Sequence, residues 1–210
     1  MTAARASLNR YATVLPSWIV YPLGMAPGVL LFYQALTGGL GVDPMAALEH
    51  GLGEWALKFL LLGLCITPLL RFGRINMVKY RRAIGLVAFA YVAAHLTTYT
   101  VLDKQLFWNE IIADIWKRPY ITVGMGAFLM LLPLALTSNG FSVRKLGAAT
   151  WRNLHKLTYP AVILGAAHWV MLEKVWDPEA LIYLGLATGL VGLRVIPKTR
   201  SPGRTANATA

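Results

Sequence analysis

Few residues of this chain can do metal or redox chemistry. It has four histidines, His50, His95, His155 and His168, and a single cysteine, Cys65. Two of the histidines bracket the stretch from Trp151 to Trp169, WRNLHKLTYPAVILGAAHW, with His155 near its start and His168 near its end. At ~1.5 Å of rise per residue they stand roughly 20 Å apart along a helix, one in each leaflet of a bilayer. Ionisable groups in lipid are costly and tend to be kept for function. A lone cysteine excludes an intramolecular disulfide and any cysteine-based zinc or iron–sulfur site, and packing is the role left for Cys65.

The elements that must position these histidines follow from composition. Of 210 residues, 57% are hydrophobic and 14% charged, against roughly 25% charged in a soluble domain. Most of the chain therefore has lipid as its solvent, and the expected fold is an all-α six-transmembrane-helix bundle. Hydropathy and charge-free runs place the helices at about 17–36, 53–70, 82–102, 119–136, 153–172 and 180–196, each compared with the ~20 residues that cross a ~30 Å hydrocarbon core. Residues 1–16 form an N-terminal segment. Residues 197–210, polar and small, read as a disordered tail. Arg5 and Arg10 precede an apolar stretch uncharged from Tyr11 to Val42, which reads as an uncleaved first helix.

Loop charges set the topology. The N-terminus, the loops 71–82 and 138–156 and the tail from Arg194 carry fifteen of the 20 Lys and Arg and no acid. All 9 acids, Asp43, Glu49, Glu54, Asp103, Glu110, Asp114, Glu173, Asp177 and Glu179, fall in the alternate loops. The positive-inside rule then puts both termini in the cytoplasm. This topology signal accounts for the net charge of +11, leaving no separate basic face for nucleic acid.

With both the third and fifth helices running outward, His95 and His168 lie at one depth in the outer leaflet. His155 sits at the inner mouth of the fifth helix, level with Arg81 and Arg82, and His50 falls in the first external loop. Two facing histidines in an apolar bundle suit six-coordinate ligation of a b-type haem. Histidines of structural role or a proton pathway are the competing readings, and zinc lacks an obvious third ligand other than His50. No Cys-x-x-Cys-His run exists for covalent haem attachment. His155 either ligates a second haem, whose sixth position is empty, filled by water or approached by arginine, or is an interfacial histidine beside Arg152 and Lys156. On a straight helix His155 and His168 diverge by roughly 140°, and Pro160 between them interrupts the ladder and can reset the phase. Arg81 and His95 share a face, where an arginine suits a haem propionate or a flavin phosphate.

The motifs, in order, are Arg81-Arg82-x-x-Gly85-Leu86 leading to His95-Leu96-Thr97-x-Tyr99, Arg118-Pro119-Tyr120, Leu134-Ala135-Leu136-Thr137-Ser138, Leu146-Gly147-x-x-x-Trp151-x-x-Leu154-His155, His168, and Leu181-Ile182-Tyr183-x-Gly185-Leu186. Their combination, over roughly Phe59 to Leu193, resembles the ferric-reductase-like transmembrane proteins. Within them it is most similar to the haem-binding membrane subunits of bacterial periplasmic methionine sulfoxide reductase systems. The resemblance implies a multi-pass inner-membrane electron carrier with one or two b-type haems and FMN. Its donor would be the quinone pool or a cytoplasmic flavin reductase, and its acceptor the periplasmic molybdopterin-dependent reductase MsrP. It maps haem ligation onto His95, His155 and His168 and implies no substrate chemistry of the chain's own, while Arg81, Arg82 and Arg152 in the basic inner loops are read from their charge as candidate cofactor contacts. Where the superfamily often has two histidines on each of two helices, this chain has arginine at one of the four positions. No attached flavin and nicotinamide domain is expected, which calls for a separate donor. A self-contained transmembrane ferric or quinone reductase and, from another class, a proton-coupled transporter are the alternatives. The second is opposed by the lack of Asp or Glu in mid-membrane.

Overall fold

The computed structural model describes residues 9–10, 14–173, 175 and 177–195; the whole of the expected disordered tail, 197–210, and part of the N-terminal segment lie outside the described residues. The structure is 87% helical, with no strand among the described residues. The chain is an all-α membrane protein. Among the described residues four helices are long and apolar enough to cross a bilayer, covering Ser17–Thr37, Pro44–Gly73, Val78–Asp103 and Pro119–Leu136.

In chain order the helices are α1 (Val20–Thr37), α2 (Pro44–Pro68), α3 (Arg81–Thr97), α4 (Trp108–Lys117), α5 (Pro119–Leu136), α6 (Gly140–Leu146), α7 (Ala148–Leu154), α8 (Thr158–Leu172) and α9 (Pro178–Val195). The start of α2 lies well before Gly53, where hydropathy begins the second span. Asp43 explains this: its side chain accepts from the Ala46 N–H at 3.1 Å, capping the helix, and Pro44 occupies the first position, where a missing N–H costs nothing. Hydropathy marks only the lipid-crossing part of a helix, whereas the cap marks its true start. Glu49 is thereby helical rather than in a loop.

Both α2 and α3 end in a π-helical turn, Leu69–Gly73 and Thr98–Asp103. The fifth expected span is interrupted: α7 and α8 are joined by a 3₁₀ turn, His155–Leu157. Pro160 supplies the reason, since it cannot donate to the carbonyl of Lys156 and its ring crowds that turn. Gly147, with φ of 77°, separates α6 from α7 in a conformation that side chains rarely adopt.

α2 packs along α3, α5 along α8, and α9 against α8 and α2, while α1 lies across α2 and α3. The main core joins Leu57, Leu60, Leu61 and Leu64 of α2 to Ala88, Leu131, Leu134, Ala161, Val162, Ala166 and Ala187. Ala88, Ala161, Ala166 and Ala187 are wholly buried, as small residues are where membrane helices approach closely. Arg194 ties the last helix to its neighbours by donating to the Leu64 carbonyl at 2.8 Å and the Tyr159 hydroxyl at 3.0 Å.

Between α3 and α5 lies α4, which the apolar-run reading of the sequence passes over. Ile111 is its buried contact, while Trp108, Ile112 and Trp116, spaced four apart, are 62%, 54% and 84% exposed. Such a stripe on a short helix beside two span ends suits the bilayer interface, where tryptophan is favoured.

Candidate functional site

His95 of α3 and His168 of α8 come together. Their ring centres are 6.2 Å apart and their planes cross at 79°. Each ring is fixed by a backbone carbonyl of a third and fourth helix: His95 Nδ1 lies 2.8 Å from the Glu49 oxygen on α2, and His168 Nδ1 lies 2.6 Å from the Tyr120 oxygen on α5. A carbonyl oxygen only accepts, so Nδ1 is the protonated nitrogen in both rings and Nε2 keeps its lone pair. This is the tautomer in which imidazole ligates a metal, with the second bond orienting the ring and raising its basicity.

Two glycines make that anchoring possible. A Cβ on Gly53 would stand 3.2 Å from His95 Nδ1, and one on Gly124 only 2.8 Å from His168 Nδ1. Each glycine lies four residues after the carbonyl that holds the ring, one turn along the same helix face. The pairs Glu49/Gly53 and Tyr120/Gly124 are thus two copies of one cradle. The sequence reading missed both. The available signal was a glycine inside an apolar span, where it weakens the helix and needs a packing reason.

The two histidines line a cavity of about 470 Å³ that also includes Leu57, Leu60, Phe128, Leu131, Ala161 and Trp169. Its volume lies within the range of small-molecule and cofactor sites, and its deep part is apolar. The mouth is acidic, with Asp43, Glu49, Glu54, Asp103, Glu173 and Asp177, together with His50 and Arg118. The pair could hold a haem, since both Nδ1 atoms are tied to carbonyls, both Nε2 atoms keep a lone pair for iron, and the deep part of the cavity they line is apolar. Among the described residues no group of three or more His, Cys, Asp or Glu is placed so that it could hold a metal ion.

A polar cluster at the edge of the cavity, to which Tyr99 and Arg118 contribute from its lining, supports its rim. Asp114 of α4 accepts from Tyr99 at 3.1 Å and pairs with Lys104 at 3.0 Å and Arg118 at 3.2 Å. Burial pushes the Asp114 carboxyl up, but the hydrogen bonds from Lys104 and Tyr99 and the charge of Arg118 outweigh it and hold the group below its ordinary range.

His155 stands apart from the pair and does not line the cavity. Its ring stacks on Trp151 with centres 3.8 Å apart, Nδ1 lies 3.0 Å from the Trp151 oxygen, and its buried Nε2 has no hydrogen-bond partner. Trp151 is held in turn, its indole N–H donating to the Thr137 carbonyl at 2.9 Å. Arg81 acts on His155 as a neighbouring charge, while Arg81, Arg82 and Arg152 are all exposed. Among the described residues no second histidine stacks on or bonds to His155.

Comparison with known proteins shows the family of the chain. Residues 52–166 match the model of the ferric reductase like transmembrane component family. A relative from Agrobacterium fabrum, named protein-methionine-sulfoxide reductase heme-binding subunit MsrQ, is 48% identical over 179 residues, covering 85% of this chain and 83% of that protein. Proteins of the same name from Brucella anthropi and Brucella ovis are 44% and 46% identical, covering 92% and 88% of this chain and 90% and 85% of theirs. No solved structure matches. The identity, sustained over most of both sequences, shows that the chain is a multi-pass bacterial membrane protein of the ferric reductase like transmembrane family and belongs to its MsrQ group.

Proposed function

We infer that this chain is a haem b electron-transfer subunit serving methionine sulfoxide reduction, with its haem held between His95 and His168. The observation that carries this reading is the pair of Nδ1-anchored imidazoles, 6.2 Å apart in an apolar cavity, each with Nε2 free to ligate. The names of the relatives support the haem and the reductase system. Bound haem supplies one-electron chemistry, and the protein supplies orientation, ligand basicity and a dry surrounding. Glu49 and Tyr120 set the imidazole tautomers, Gly53 and Gly124 let the rings reach them, and Leu57, Leu60 and Leu131 exclude water.

The finer reading has six spans with both termini cytoplasmic, supported by the segregation of basic and acidic loops. The acceptor is then the molybdopterin-dependent reductase MsrP, on the acidic outer side. His155, with its unpartnered Nε2, is the candidate ligand of a second haem. Quinone or a cytoplasmic flavin reductase is the donor at the basic inner side, where exposed Arg81, Arg82 and Arg152 suit an anionic cofactor such as FMN.

Purified protein should show a Soret band, and His95→Ala or His168→Ala should each remove the haem held by this pair. Full haem content and reducibility in both variants would overturn the assignment.

A further inference from the structure

The segment Arg118-Pro119-Tyr120 touches the cavity in three ways, only one of which the ligation reading uses. The Tyr120 carbonyl holds His168, and the Tyr120 ring lies 6.0 Å from the His168 ring. Arg118 also lines the cavity and donates from Nη1 to the Tyr120 hydroxyl at 3.0 Å. Arg118 is the only Lys or Arg among the described residues lining that cavity, in a mouth that otherwise carries six acids.

Resting on the haem reading above, we propose that Arg118 with the Tyr120 hydroxyl is the carboxylate clamp of the cavity, taking a haem propionate and thereby fixing which edge of the macrocycle faces the outer surface. The geometry holds the guanidinium ready. Its Nε pairs with Asp114 Oδ1 at 3.2 Å and its Nη1 meets Tyr120, which leaves most of its five N–H donors for a ligand. Lys104, 3.0 Å from the other Asp114 oxygen, offsets that carboxylate, so Arg118 keeps charge for a second anion. Asp103 is more distant, 3.6 Å from Lys104, and half exposed. Elsewhere at the mouth a propionate meets Asp43, Glu173 or Asp177 and is repelled, while Glu54 is already paired with Lys58. Arginine suits a carboxylate because it can donate two parallel N–H bonds to it. Pro119 starts α5 directly after Arg118, so the clamp and the carbonyl that holds His168 belong to one rigid turn.

The test reconstitutes haem-depleted full-length protein with haem b and with its dimethyl ester, which keeps the iron and ring but cannot present a carboxylate. Wild type should bind haem b roughly tenfold or more tightly than the ester, in line with charge-assisted hydrogen bonds. Arg118→Gln should lose that discrimination, and Arg118→Lys should keep part of it. The midpoint potential of bound haem b should fall in Arg118→Gln, because a nearby positive charge favours the electron. A wild type that binds both forms equally, or an Arg118→Gln that still discriminates fully, overturns the clamp. Failure of wild type to bind either form overturns the haem reading itself. Should Arg118→Gln misfold, Tyr120→Phe, which keeps the carbonyl to His168, is expected to reduce the discrimination, and full discrimination there counts against the clamp.

Discussion

A Cβ placed on Gly124 would lie 2.8 Å from Nδ1 of His168, closer than real Cβ contacts come. The ring occupies the space of an absent side chain because its hydrogen bond to Tyr120 draws it onto the backbone of α5. Gly124→Ala should therefore improve helix propensity by about 1 kcal/mol yet displace the imidazole. We expect loss of most bound haem with the helical content unchanged, read by pyridine haemochrome assay and circular dichroism. Gly53→Ala, where the Cβ stands 3.2 Å from His95 Nδ1, should give a weaker loss.

Tyr91 is inserted into the hydrogen-bond ladder of α1. Its hydroxyl donates to the Gly24 carbonyl and accepts from the Gly28 N–H, both at 2.7 Å, so it bridges two groups that would otherwise bond to each other. Pro27 already interrupts the helix there. Tyr91→Phe should destabilise the protein by about 1–3 kcal/mol, the cost of leaving buried polar groups unpaired. A thermal or denaturant melt in detergent checks it, and an unchanged midpoint would mean that the ladder closes on itself.

Asp114 links α4 to the rim of the cavity and has a lowered pKa in the folded protein. A depressed carboxyl pKa stabilises the fold above the unfolded value, roughly 3.9, and that contribution disappears as pH falls through the folded value. The difference in melting temperature between wild type and Asp114→Asn should be present at pH 7 and pH 5 and should close below roughly pH 4. A difference that persists undiminished in acid would show that packing, not charge, sets the effect.

His155 and the His95–His168 pair belong to separate sites, so their removal should be separable. His155→Ala should leave the absorption of haem held by the pair intact and remove only a second haem component, seen as a fall in haem per protein. His168→Ala should show the reverse. Loss of all haem in His155→Ala would join the two sites into one.

The membrane character, the helical class and the depth pairing of His95 with His168 were readable from the chain alone. They rest on quantities that sum along the sequence: hydropathy over some 20 residues, the sign of loop charges, and rise per residue. The sequence also located Pro160 as the break in the fifth span, since a missing N–H acts on its own turn. What it could not decide is which atoms meet across helices. That Glu49 and Tyr120 act through their backbone carbonyls is invisible in side-chain identity, and so is the need for Gly53 and Gly124 four residues on. The amphipathic α4 escaped because a run of 10 residues with charges at every turn gives no apolar window. Arg118 appeared as an external loop charge until the packing of α5 against α8 brought it to the mouth of the cavity. Local physics fixes helices and their depth; rotation and contact between them are settled only when all the faces pack at once.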